Sequence, residues 1–134
     1  HMFSEHDIQP VFEMINGTDM PRFLVQNIAQ AQEMLEAVQH PALKMQYDCY
    51  HMAMMGEDVL QGLQENIQAI GHIQFADCPG RHEPDTAQIM YANIFEWLQH
   101  SSYDGFIAAE YRPKTVSTQS FAWKAKYFAA HPQS

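Results

Sequence analysis

The sequence predicts an α/β protein built on a parallel sheet. Four short apolar runs each end in or near a carboxylate, and a segment of helix length with amphipathic spacing follows each of them. Strand-helix alternation of this kind argues for parallel strands, which need a long crossover where antiparallel neighbours need only a turn. Length adds a third observation. The chain has 134 residues, enough for one domain with its own core, whereas a closed (β/α)8 barrel typically takes about 250. Four βα units in this length are half of such a barrel or a small open sheet, and spacing alone does not choose.

The first strand lies in Val11-Phe12-Glu13-Met14-Ile15-Asn16. A helix is predicted over residues 23–39, with Leu24, Ile28, Ala31, Leu35 and Val38 as its inward stripe. Asp19-Met20-Pro21 opens it and His40-Pro41 closes it. The second strand lies in Leu43-Lys44-Met45-Gln46-Tyr47-Asp48-Cys49-Tyr50-His51. Its helix spans 59–70, with Val59, Leu60, Leu63, Ile67 and Ile70 inward. The third strand, Gly71-His72-Ile73-Gln74-Phe75, drops into a Pro/Gly turn bearing Asp77, Arg81, His82 and Glu83. The next helix runs over about 86–100 with Ile89, Ile94, Phe95 and Leu98 inward. Tyr103-Asp104-Gly105 then turns into the last strand, Phe106-Ile107-Ala108-Ala109-Glu110-Tyr111. A fourth helix follows Ser117, with Phe121, Trp123, Ala125 and Phe128 as its apolar residues.

Composition removes several function classes. A net charge of −9 argues against nucleic acid or an anionic membrane as partner, since either requires basic surface. No apolar run approaches the roughly 20 residues of a membrane span, and no signal peptide is visible. Cys49 and Cys78 are expected to be free thiols of a cytoplasmic protein. The nine methionines are expected to fill core gaps, and Trp97 and Trp123 to pack on helix faces. His6, His40, His100 and His131 carry no ligand spacing. His1-Met2 reads as a cloning remnant, so residues 1–7 are a lead-in, 8–131 hold the four units and 132–134 are a tail.

Loops past strand C-termini sit at the mouth of an α/β sheet or barrel, where such proteins place their chemistry. Any one of the turn's charges could belong to an ordinary solvated loop. The repetition of a carboxylate at four strand ends favours a site.

The motifs Phe12-Glu13-Met14-Ile15-Asn16, Lys44-Met45-Gln46-Tyr47-Asp48-Cys49-Tyr50-His51-Met52, Gly71-His72-Ile73-Gln74-Phe75-Ala76-Asp77, Pro79-Gly80-Arg81-His82-Glu83-Pro84 and Glu110-Tyr111-Arg112-Pro113 occur in one order. Together they resemble the C-terminal half of the hydroxypyruvate isomerases, among the xylose-isomerase-like TIM-barrel isomerases and epimerases. The likeness covers nearly the whole chain, from about Ile8 to past Trp123. It implies a (βα)4 half of a TIM barrel holding strands five to eight, and hence a C-terminal fragment.

The resemblance also implies roles. Glu13, Asp48, Gln74 and Glu110 would hold one divalent metal, with Gln74 standing where the wider family has His. An amide oxygen suits Mg²⁺ or Mn²⁺ and argues against zinc. Glu13 and Glu110 would be the acid/base pair that converts hydroxypyruvate to tartronate semialdehyde through an enediolate. His51 would bind a substrate oxygen and Arg81 the substrate carboxylate; a packing histidine and a surface ion pair with Glu83 or Asp85 are the competing readings. Asp77 and Glu83 are supporting candidates, and for Asp19 helix capping is the simpler expectation beside the substrate contact that the resemblance implies.

Three alternatives to hydroxypyruvate isomerisation stand beside it. They are a 2-oxotetronate isomerase, a metal-dependent endonuclease on a related barrel, and a non-catalytic half-barrel assembly unit. The endonuclease would need a His-rich metal cluster and basic flanks. A half-barrel is expected to be inactive alone and to form a homo-oligomer or be completed by an N-terminal half. Its inner face, with Phe12, Met45, Phe75 and Ile107, is expected to be uncovered and apolar.

Overall fold

A computed structural model describes His6 and residues 8–129. Strands β1 (Val11–Glu13), β2 (Lys44–Asp48), β3 (Ile70–Phe75) and β4 (Phe106–Ala109) form one sheet in the order β1-β2-β3-β4. Every neighbouring pair is parallel. Strand order that follows chain order, with helical crossovers, belongs to a segment of a βα barrel; a doubly wound sheet reverses direction at a switch point. The chain is therefore a partial barrel. The helices are α1 (Ile28–Val38), α2 (Cys49–Met54), α3 (Val59–Asn66), α4 (Tyr91–His100) and α5 (Ala122–Phe128).

Several helix limits differ from those the apolar spacing predicts. Helix α1 begins at Ile28, where the extended Asn27 accepts from the Gln30 N–H at 2.9 Å. Residues 17–22 form turns instead, so Asp19-Met20-Pro21 does not open the helix. Leu24, ahead of the first turn, is 78% exposed, and Val38 is exposed as well; Ala31 is the buried member of that stripe. Gln39 closes α1 in the left-handed region and bonds to the Leu35 carbonyl. After α3, a 3₁₀ turn over Ile67–Ala69 leads directly into β3, so Ile70 is a strand residue. Helix α4 begins at Tyr91, although Ile89, Ile94, Phe95 and Leu98 are all buried as expected. In α5, Phe121 and Phe128 are exposed, while Trp123 packs edge-on against Phe75 and stacks on Phe95.

Side chains alternate across a strand, and the alternation separates two unlike faces. Met45, Tyr47, Ile73 and Phe75 are buried. Their side lies under the helices: the Tyr47 hydroxyl reaches the Val59 carbonyl on α3, and Phe75 meets Phe95 on α4. Gly62 lets α3 approach, because a Cβ there would collide with the Tyr47 hydroxyl. The register pairs Phe12 with Met45 and Ile107 with Ile73, placing all four residues expected on the inner face against the helices instead. The pleat requires this, since Phe12 and Glu13 cannot share a face. The open face carries Glu13, Gln46, Asp48, His72, Gln74 and Ala108, which the registers set side by side. It is largely polar, with Phe106 at its edge 83% exposed. A one-residue shift in β3, between its pairings with Met45 and Gln46, returns His72 and Gln74 to this side.

Both cysteines are free and buried. Among the described residues no helix is long and apolar enough to cross a membrane. His1-Met2, His131 and the expected tail lie outside the described residues.

Candidate active site

Each strand of the sheet delivers one polar group to the rim of the open face. Glu13 ends β1, Asp48 ends β2, and Gln74 is the register partner of Asp48 on β3. Glu110 follows β4 and continues the ladder by bonding its N–H to the Phe75 carbonyl at 3.0 Å. The Gln74 side-chain oxygen accepts from Gln46. Burial pushes the Glu13 carboxyl above its ordinary range, against the opposing effect of the Gln46 amide.

Asp48 has two roles because β2 runs into α2 with no intervening loop. Its Oδ1 caps the helix, accepting from the Tyr50 N–H at 2.8 Å. Its Oδ2 is the one buried side-chain polar atom without a hydrogen-bond partner among the described residues. Burial raises the Asp48 carboxyl to about 7, despite the Tyr50 N–H and the Arg81 guanidinium 3.6 Å away. A buried carboxylate oxygen left without a partner can accept from a donor or meet a cation.

Arg81 sits over this rim. Its Nη2 lies 2.7 Å from Glu110 Oε2, and its guanidinium is 4.9 Å from the centre of the Tyr50 ring. The expected rival partners are engaged elsewhere: Glu83 accepts from the Lys114 N–H, and Asp85 pairs with Lys126. The loop that presents Arg81 is organised by Asp77. This fully buried carboxylate accepts from the backbone N–H groups of Cys78, Thr86, Ala87, Gln88 and Ile89 at 2.8–3.0 Å. Arg81 itself takes a left-handed backbone and accepts from the Arg112 N–H at 2.8 Å.

His51, on α2, is buried with Nε2 3.8 Å from Asp48 Oδ2 and 3.9 Å from Glu13 Oε1. Burial, reinforced by Arg81, holds its pKa down at about 4, so the ring is neutral at pH 7. Glu13, Asp48 and His51 each offer an atom within 4.8 Å of the others, a grouping that fits a cation.

Sequence reasoning missed the layer behind His51. Asn16 is fully buried, lies within hydrogen-bond distance of His51 Nδ1 and donates to Asp19, which also accepts from the Tyr50 hydroxyl at 2.8 Å. Asp19 is therefore a link in this network rather than a helix cap, and its carboxyl is held low by Asn16 first and Tyr50 next. The position of Asn16, three residues past Glu13, was visible in the sequence; its contact with a residue 35 positions away was not.

Residues 1–127 match the family model described as xylose isomerase-like TIM barrel. The chain is 38% identical over 117 residues to the 2-oxo-tetronate isomerase of Cupriavidus necator, covering 87% of this chain and 45% of that one. It is 35% identical over 127 residues to the hydroxypyruvate isomerase of Escherichia coli, covering 95% and 49%. A solved structure described as an AP endonuclease of family 2 from Brucella melitensis superposes with a TM-score of 0.88 at 29% identity, covering 94% and 49%. The chain spans about half the length of the curated relatives it matches.

Proposed function

The chain belongs to the xylose isomerase-like TIM-barrel family, and from that premise we propose that it supplies strands five to eight of an isomerase for a short hydroxy-keto acid. The reaction is hydroxypyruvate to tartronate semialdehyde. The observation that carries the reading is the Asp48 oxygen, buried without a partner among Glu13, His51 and Arg81.

Moving the carbonyl to the adjacent carbon requires removal of a C–H proton, an enediolate, and return of a proton one carbon away. Glu13 and Glu110 stand on either side of the rim as the acid/base pair. The upward shift of Glu13 brings its basicity toward neutral pH, where such a group works best. Arg81 exchanges Glu110 for the substrate carboxylate, which frees Glu110 for proton transfer and fixes the substrate's end. His51 donates a hydrogen bond to the oxygen on which charge develops. Glu13, Asp48, Gln74 and Glu110 would hold Mg²⁺ or Mn²⁺, which when bound supplies positive charge beside that oxygen.

One relative favours a second reading. The 38% identity to a 2-oxo-tetronate isomerase supports a substrate one carbon longer, handled by the same residues. Cleavage of nucleic acid is disfavoured by the net charge of −9 and by the single histidine in the site's metal-fitting group.

The test uses a complete barrel containing this chain, assayed with both acids. Glu13→Gln and Glu110→Gln remove a proton acceptor with little change of shape. Each should lower kcat by about 10²–10⁴ on the true substrate. Rates within tenfold of the parent in both variants would refute the assignment.

A further inference from the structure

We propose that Asn16 is a positioning residue that sets the tautomer of His51, so that the ring turns an Nε2–H, and not a lone pair, toward the bound substrate. The identity of the group met by that N–H rests on the isomerase reading, whereas the tautomer follows from hydrogen bonding alone.

An amide orientation and a histidine tautomer are assigned from their surroundings, and here backbone groups decide both. The Thr18 and Asp19 N–H groups point at Asn16 Oδ1 from 3.1 and 2.8 Å. A backbone N–H can only donate, so the atom they meet is the oxygen. The amide nitrogen therefore faces the other way, 2.7 Å from His51 Nδ1 and 3.0 Å from the Asp19 carboxylate. The backbone N–H of Asn16 points at the same ring nitrogen from 3.3 Å. Two donors converge on Nδ1, which must present its lone pair to both. The proton of the neutral ring is then on Nε2.

This divides the Glu13-Asp48-His51 group. Its carboxylates can take a cation, but His51 has no lone pair to offer on that side. Moving the proton to Nδ1 would set an N–H against two other N–H groups, disfavouring that tautomer by roughly tenfold or more. The Nε2–H instead points toward the space beside Asp48 Oδ2, whose lack of a partner independently marks the place where a ligand sits. The 3.8 and 3.9 Å separations from Asp48 and Glu13 are too long for hydrogen bonds, so the N–H is kept for that ligand.

The tautomer is read on the whole chain, labelled with ¹⁵N-histidine, from two-bond ¹H–¹⁵N correlations at neutral pH without substrate. The His51 signal is assigned by its loss in His51→Gln. The parent should show the Nε2–H pattern in excess by about tenfold or more. Asn16→Asp keeps the oxygen that accepts from Thr18 and Asp19 but turns an acceptor toward Nδ1, and should move the proton there. Asn16→Ala, which retains the backbone donor, should weaken the preference without inverting it. An Nδ1–H pattern in the parent, or an unchanged pattern in folded Asn16→Asp, would overturn the assignment; the parent measurement decides even if the variant does not fold. In a complete barrel, Asn16→Asp should lower kcat at least tenfold with little change in KM. Unchanged kcat with an inverted tautomer would overturn the catalytic role. A parent barrel without isomerase activity would overturn the isomerase reading alone.

Discussion

Asp48 caps a helix and stands on the rim of the candidate site at once. Its capping oxygen stabilises α2, while the second is left buried and unpaired. The cost has a pH signature. Its folded-state pKa, about 7, exceeds the ordinary carboxyl value of 3.8, so the folded chain binds the proton more tightly than the unfolded chain does. Stability from this group is therefore highest below about pH 4 and is lost as pH rises to about 7. Asp48→Asn removes the ionisation while keeping an oxygen for the Tyr50 N–H. The variant should be more stable than the parent at pH 8, by a few kcal/mol, with the advantage shrinking to nothing near pH 4. Urea denaturation across that range checks it, and a difference independent of pH would contradict it. His51 acts oppositely: its pKa is depressed from 6.5 to about 4, so its contribution grows as pH rises through that window. It does so in both proteins and largely cancels from their difference. The carboxylates were legible as strand-end charges. The Asn16-Asp19-Tyr50 layer was not, because hydrogen bonds between a loop and a distant helix leave no periodic trace.

The number and order of the strands could be read from apolar runs, since a strand's burial is written in consecutive residues. Helix starts could not. Apolar spacing runs back through Leu24, which does not bury, and Asn27 sets the start of α1 by capping. Before α4 the buried Asp77 competes for the backbone, holding the N–H groups of residues 86–89 outside the helix. Asp77→Ala would leave five backbone donors without their acceptor. Folding stability should fall by at least about 3 kcal/mol, with hydrogen-exchange protection lost first in residues 77–89 and the Arg81-Glu110 pair loosened. Unchanged protection of that loop would show that Asp77 is not its organiser. The face of Phe12, Met45, Phe75 and Ile107 is the instructive error. The family likeness suggested a barrel interior, but alternation from Glu13 alone would have sent these side chains outward.

For the whole molecule, β1 and β4 are the terminal strands of the sheet, and the face they bound carries the half-buried Glu13, Gln46, His72 and Gln74. That face is largely polar, so collapse of an apolar surface is a weaker drive than a buried-core face would give. Open strand edges remain a drive for pairing, helped by exposed Val11 and Phe106. The chain should sediment as a dimer or larger assembly at micromolar concentration, and should bind a separately made N-terminal half in preference to itself. A folded monomer indifferent to that half would contradict this. The catalytic proposal, that one rim carboxylate removes a proton and the other delivers a solvent-derived proton to the adjacent carbon of an enediolate, is exposed to one experiment. A complete barrel containing this chain is given hydroxypyruvate in D₂O and followed by ¹H NMR at early times. Solvent deuterium should enter the carbon that becomes the hydroxyl-bearing centre of the product, and Glu13→Gln should slow its appearance by about 10²-fold or more. Product formed without deuterium at that carbon, or at the parent's rate in Glu13→Gln, would contradict it.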